Sequence, residues 1–282
     1  MRRIALATSP SLPTLAEDDQ LLIPALAHLD LIATACVWSD PAIDWASFDA
    51  AVIRSTWDYH RRAPEYLAWA ESVQRQTRLY NAYETVRWNS HKSYLARLGT
   101  RGVPVLPDVV GHPDVSLEQV LRERMWTRAV VKPAVSADAD GTFLVTTETA
   151  RALEDQYRAA LATGEQLIQP YVEEIETGGE HSLFYFDGAY SHAVRRPPGL
   201  VAKTPNAPRA TPYEPVPEER RIADQVTAEV RPVPLYARVD LVVRESGSPV
   251  LMELELIEPH LYFGWSPGAA DRMAAAIRRR LS

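Results

Sequence analysis

The chain predicts an α/β fold of three α+β lobes: an N-terminal parallel lobe, a small β-rich central lobe and a C-terminal antiparallel-sheet lobe. Three observations carry this. Strands and helices alternate through the first third. Short apolar strands and an Asp187-Gly188 turn dominate the middle. Two apolar strands bearing acids lie near the end. The predicted boundaries are 1–88, 89–165 and 166–282.

In the first lobe, Arg3–Thr8, Leu29–Val37 and Ala50–Ser55 read as strands, and Asp18–Ala27 and Pro64–Arg75 as helices. Gly-x-Gly-x-x-Gly is absent after the first strand, so a dinucleotide fold has no support. In the second lobe, Asn89 or Ser90 is placed to cap a helix with Tyr94, Leu95 and Leu98 as its apolar stripe. Ala129–Pro133 is a strand with Thr142–Thr147 as its partner, and Ala150–Ala162 is an amphipathic helix. Leu167–Val172 is a further strand, whose Pro170 excludes an ordinary central ladder. His181–Phe186 and Ala189–Val194 form a hairpin, Asp-Gly being a favoured two-residue turn. Glu218–Val230 and Ala269–Leu281 read as helices, the latter with arginines in its last turns.

Composition narrows the function. With 282 residues the chain can build a large core. Its 30 basic and 37 acidic residues leave a net charge of -7, which disfavours nucleic acid. No apolar run is long enough for a membrane span. The single cysteine, Cys36, sits in an apolar strand, so no internal disulfide is possible. The expected location is the cytoplasm, as a monomer or homodimer.

The strands Tyr236–Val243 and Val250–Ile257 carry the strongest chemical signal. Side chains two apart share a face, so Arg238 and Asp240 point together, as do Glu253 and Glu255. A hairpin symmetric about Ser246-Gly247 sets Asp240 opposite Glu253 and Arg238 opposite Glu255. Like charges facing across strands repel, and buried carboxylates need partners. A hard divalent cation on oxygen ligands answers both problems.

Two lysines complete a complementary pattern. Lys132 ends the apolar run Val130-Val131, where its ammonium would seek an anion; Lys92 sits in the predicted helix behind its cap. A triphosphate would suit the pair, with magnesium held by the acids. A surface charge is the alternative for Lys92. Gln169-Pro170-Tyr171-Val172 reads as a hinge able to meet an adenine, with Glu173, Glu174 or Glu176 at the ribose, or as a plain strand end. Among the basic residues Arg195, Arg196, Lys203, Arg209 and Arg238, the two chosen to clamp a carboxylate or phosphate are Arg195 and Arg238. Arg54, Trp57 and Asp58 follow the third strand, where open α/β sheets bind ligands. They read as substrate recognition or as a helix start. His181, His192 and His260 read as structural.

Together these motifs resemble the ATP-grasp superfamily of carboxylate ligases, over about Asn89 to Tyr262. The residues carrying the likeness are Lys92, Val131-Lys132-Pro133, Gln169–Val172, Gly179-Glu180, Arg238-Val239-Asp240 and Glu253-Leu254-Glu255. Arg54–Tyr59 and Glu253–Pro259 are similar to the glutathione-synthetase-like branch, which includes a ligase closing the ring of O-ureido-D-serine. The resemblance implies ATP, two magnesium ions and an acyl phosphate, acting on a small-molecule carboxylate. It places Lys92 and Lys132 on the ATP phosphates, Gln169 and Val172 at the adenine, Asp240, Glu253 and Glu255 on magnesium, and Arg238 at the transferring phosphoryl group. Three departures stand out. The loop after Lys132 is poor in glycine, and Glu255 stands where many relatives carry asparagine. Gly179-Glu-His-Ser182 lacks the arginine of the usual Gly-Asp-x-Arg element, a role that passes to Arg195. The implied function is ATP-dependent carbon–nitrogen ligation, within one molecule or between two; a non-catalytic nucleotide-binding module is the other reading.

Overall fold

A computed structural model describes residues 1–137, 139–197 and 210–282. Lys203, Arg209 and the proline-rich run before Arg209 lie outside the described residues.

In the first lobe β1 (Arg2–Thr8), β2 (Leu31–Val37), β3 (Ala50–Ile53) and β4 (Arg78–Tyr80) form a parallel sheet in the order β2-β1-β3-β4. Alternation along β1 and β3 divides their side chains between two cores. Ile4, Leu6, Ala50 and Val52 pack toward the C-terminal helix Ala269–Leu281; Ala5, Ala7, Ala51 and Ile53 pack toward the helix Ala63–Gln76. The predicted helix Asp18–Ala27 is instead two short ones, Glu17–Gln20 and Leu22–Ala27. Pro24 explains the break, because it cannot donate to the carbonyl of Gln20 and its ring crowds that carbonyl.

The central sheet joins β5 (Val109–Val110), β6 (Arg128–Pro133), β7 (Phe143–Thr146) and β8 (Gln166–Pro170) in the order β5-β8-β6-β7. The boundary expected at residue 165 would cut it, since β8 pairs with both β5 and β6. Pro170 is tolerated because it is the last residue of β8, opposite Ala129.

The third sheet has five strands: β9 (Glu180–Phe186), β10 (Ala189–Arg196), β11 (Thr211–Pro212), β12 (Tyr236–Val243) and β13 (Pro249–Glu255), ordered β11-β10-β9-β12-β13. Asp187 (φ 54°) and Gly188 (φ 77°) make the expected turn, both in the left-handed region. One face of the sheet packs on the helix Pro217–Ala228 through Leu183, Tyr185, Val239 and Leu241. On the other face Phe184, Phe186 and Tyr236 join the C-terminal helix. Farther along that same face, Ser182, Arg238 and Asp240 replace the apolar residues. The charged site thus begins where the core of this face ends. Among the described residues, no helix is long and apolar enough to cross a membrane.

Candidate active site

The three lobes surround a cavity of about 700 Å³. The β12–β13 hairpin supplies one wall. Asp240 pairs with Glu253 and Arg238 with Glu255, the register expected from sequence. Two offsets cancel to produce it. The turn closes one residue early, with Arg244 N–H donating to Ser248 O, and a bulge at Met252 restores the alignment. Two asparagines hold β13 in place. Asn89 Nδ2 donates to Leu254 O at 2.7 Å and its Oδ1 accepts from Leu256 N at 2.8 Å. Asn81 Nδ2 bridges Tyr236 O and Leu256 O at 2.9 and 2.8 Å. Asn89 therefore does not cap a helix: it closes Tyr83–Asn89 and serves the edge of β13 instead.

The carboxylates of this wall are held by cations. Arg238 Nε lies 3.0 Å from Asp240 Oδ1, and Arg238 also bonds Glu255. Arg196 reaches Asp240 at 2.9 Å, Glu180 at 2.6 Å and Ser182 Oγ at 2.7 Å. Asp240 is 2% exposed and lies beneath these arginines, whereas Glu253 and Glu255 line the cavity. Burial drives the Asp240 carboxyl upward, but Arg196, Arg238 and Ser182 outweigh it and hold the group below its ordinary value. For Glu253, burial is likewise outweighed by Lys92 and Lys132. Glu255 is the opposite case. Burial, with Asp240 and Glu253 nearby, raises it to about 7 despite Arg238.

Lys92 lies in the turn before the helix Tyr94–Thr100, not within a helix as expected. It is buried, and its Nζ contacts Glu253 at 3.1 Å, Ser136 O at 2.8 Å and Ser136 Oγ at 3.1 Å. Lys132, at the end of β6, lines the cavity without an ion pair among the described residues. Burial lowers its ammonium to about 8, with Glu253 opposing and Lys92 assisting.

At the far end, Gln169, Tyr171 and Val172 line the wall. Gln169 is buried, and its Nε2 has no partner among the described residues. A buried amide donor without an acceptor is costly, and a ligand acceptor at this end would satisfy it. Glu176 is not part of it: it is exposed and held by Arg128 (3.1 Å) and the Tyr171 hydroxyl (3.0 Å).

Two further expectations are corrected. Arg195 is exposed and Arg196 lines the cavity. An uninterrupted hairpin from Asp187-Gly188 would set Arg195 opposite Glu180. A bulge after Tyr190 moves Arg196 into that register position, and one residue of slip exchanges the faces. Arg54 is fully buried, outside the cavity. It pairs with Asp19 at 3.0 Å, donates to Pro259 O at 2.5 Å and lies over the Tyr236 ring. Arg54→Ala would leave Asp19 buried without its cation. The expected loss is about 3–5 kcal/mol, read by chemical denaturation. A loss below about 1 kcal/mol would place the pair with weak surface bridges. Trp57 and Asp58 do line the cavity, though Asp58 also binds Trp38 Nε1 at 3.0 Å and Arg62 at 2.8 Å. The neighbouring His60 and Arg61 reach Asp140 of the loop after Lys132, at 3.0 and 3.3 Å, tying the first lobe to the second.

His181 bonds Glu219, and His192 bonds Leu261 O at 2.9 Å; His260 lines the cavity. Sequence reading missed Asn81, Asn89, Ser136 and Ser182 as scaffolding. Short polar residues carry no spacing signal; only the packed backbone shows what they bridge.

A family model described as the N-terminal domain of D-cycloserine synthetase DcsG matches residues 4–81. The chain is 34% identical to the cycloserine biosynthesis protein DcsG of Streptomyces lavendulae, over 92% of each. A crystal structure of D-cycloserine synthetase DcsG matches with a TM-score of 0.89 at 31% identity, covering 99% of this chain and 100% of that one. The ATP-grasp ligase PsnB, solved with a minimal precursor, Mg and ADP, matches with a TM-score of 0.68 at 15% identity, over 99% and 97%; that likeness concerns the fold alone. The chain belongs to the DcsG family, and its fold is the ATP-grasp fold.

Proposed function

We propose that this chain uses ATP to activate the carboxylate of an amino-acid derivative and closes a ring through a nitrogen of the same molecule, with O-ureido-D-serine as substrate and D-cycloserine as product. The observation that carries this is the ordered cavity. It has an amide donor unpaired among the described residues at one end, two lysines and a carboxylate hairpin in the middle, and the Trp57–Asp58 loop beside it. Kinship with DcsG, a D-cycloserine synthetase, supports the product, and the resemblance read from Arg54–Tyr59 and Glu253–Pro259 suggests the substrate.

Gln169, Tyr171 and Val172 would receive the adenine, and Lys92 and Lys132 the phosphates. The oxygen donors of Glu253 and Glu255 suit magnesium. Among the described residues, no three acidic, histidine or cysteine side chains converge on one point. Asp240 would therefore join these two when Arg238 or Arg196 turns toward phosphate. Bound magnesium would neutralise phosphate charge and orient the reacting groups.

The substrate carboxylate attacks the γ-phosphorus, giving an acyl phosphate and ADP. The oxygen-bound ureido nitrogen then attacks the acyl carbon, losing its proton and expelling phosphate; the carbamoyl group it carries is hydrolysed off as carbon dioxide and ammonia, which leaves the ring N–H of the product. Arg238 and Arg196, which line the cavity, would steady the negative charge that develops on the transferring phosphoryl group. No side chain need act as a covalent nucleophile, because positioning alone can supply effective molarities of roughly 10⁵ M or more. The Asp140 contacts of His60 and Arg61 would keep water from the acyl phosphate.

The test is to incubate the protein with ATP, magnesium and O-ureido-D-serine, and to measure ADP and cyclic product. One ADP per ring, with no second amine required, is expected. ADP release that depends on an added amine would indicate intermolecular ligation instead.

A further inference from the structure

Glu258 lines the cavity, is only 8% exposed and takes part in none of the functions assigned above. Every other carboxylate of the cavity wall among the described residues has a cation. Asp58 has Arg62, Asp140 has Arg61, Glu180 has Arg196, Glu253 has Lys92 and Glu255 has Arg238. The cations that act on Glu258 electrostatically, Lys92 and Arg238, are already committed to those acids.

The backbone carrying Glu258 is held with unusual care. Three consecutive carbonyls each accept from a different side chain: Ile257 O from the Tyr236 hydroxyl at 2.8 Å, Glu258 O from Trp57 Nε1 at 3.1 Å, and Pro259 O from Arg54 at 2.5 Å. Two of those donors, Trp57 and Arg54, belong to the first lobe. A carboxyl that is buried, uncompensated and rigidly presented to a cavity is costly unless a ligand supplies the cation. Burial and Glu255 push this carboxyl well above its ordinary value, against its own backbone N–H, Lys92 and Arg238. Tyr59, Tyr66 and Tyr236 are near enough to feel its charge, and none of them is cationic.

We propose that Glu258 binds the ammonium group of the carboxylate substrate and so selects amino-acid derivatives. The inference rests on the reading that the substrate is such a derivative. An ammonium on the carbon next to the carboxylate, once held at Glu258, would set that carboxylate toward Lys92 and Arg238, the cations whose charge reaches Glu258.

The test compares O-ureido-D-serine with its desamino analogue, which has hydrogen in place of the amino group, using the full chain with saturating ATP and magnesium. Glu258→Gln is nearly isosteric. It should raise KM for the amino substrate about 10²-fold, as expected for losing one charge-assisted hydrogen bond. KM for ATP and turnover of the desamino analogue should change less than about threefold. Glu258→Asp, which keeps the charge, should recover part of the preference. Equal losses on both substrates would show a structural role and overturn the proposal, as would an unaltered preference in Glu258→Gln. Calorimetry with the same two ligands separates this from failure of the ring-closure reading. A Glu258-dependent preference for the amino ligand without ring product overturns only the latter. Equal binding of the two ligands by the unaltered chain overturns the assignment of Glu258.

Discussion

Glu253→Gln should lower magnesium-dependent ADP formation at least about 10³-fold, the scale of losing a main electrostatic stabiliser of phosphoryl transfer. Glu253 lines the cavity between the lysines and Glu255, and Lys92 and Lys132 keep it ionised against the effect of burial. Glutamine retains the shape and one carbonyl oxygen but removes the charge that a hard cation requires. The fold should survive, because Lys92 keeps its bonds to Ser136 at 2.8 and 3.1 Å. The measurement is ADP release across a magnesium titration, beside a thermal unfolding curve. Unchanged turnover would sink the metal assignment, and a lost unfolding transition would show that Glu253 serves the fold.

Lys132→Met should raise KM for ATP about 10²-fold, since its ammonium lines the cavity with no competing ion pair among the described residues. In the unaltered chain the same lysine sets a pH dependence. Its ammonium titrates near 8, below the ordinary 10.5. ATP should therefore bind with full affinity below about pH 8 and weaken as the proton is lost above it. Stability moves the other way. Between the two values the unfolded chain binds more protons than the folded one, so this group's destabilising effect is full below about 8 and fades as pH rises toward 10.5. Lys132→Met should remove both trends. A KM for ATP that rises above pH 8 equally in both proteins would assign the titration elsewhere.

The parts legible in sequence were those set by short-range rules. Alternation along Tyr236–Val243 and Pro249–Glu255 places Arg238, Asp240, Glu253 and Glu255 on one face before any coordinates are known. The Asp187-Gly188 turn is a local matter of left-handed backbone. The final helix, Ala269–Leu281, has the limits read from its apolar spacing. The errors have an equally definite origin. Arg195 was preferred to Arg196 because a bulge is invisible in the residue pattern, yet it exchanges the faces of everything beyond it. Arg54 looked like a ligand-binding cation because its partners, Asp19 and Pro259, lie 35 and 205 residues away.

Sequence alone thus determined which charges exist, which of them share a strand face, and that lysines and carboxylates oppose one another. Tertiary structure decided which charges are already neutralised. Asp240 is covered by two arginines and Glu176 is turned outward to Arg128, while among the described residues Lys132 is left without an ion pair and Glu258 is held in the cavity wall without a cation. The physical reason is that the energy of a charge depends on its burial and on neighbours within a few ångströms. Those neighbours come from all three lobes, at separations that no local pattern encodes.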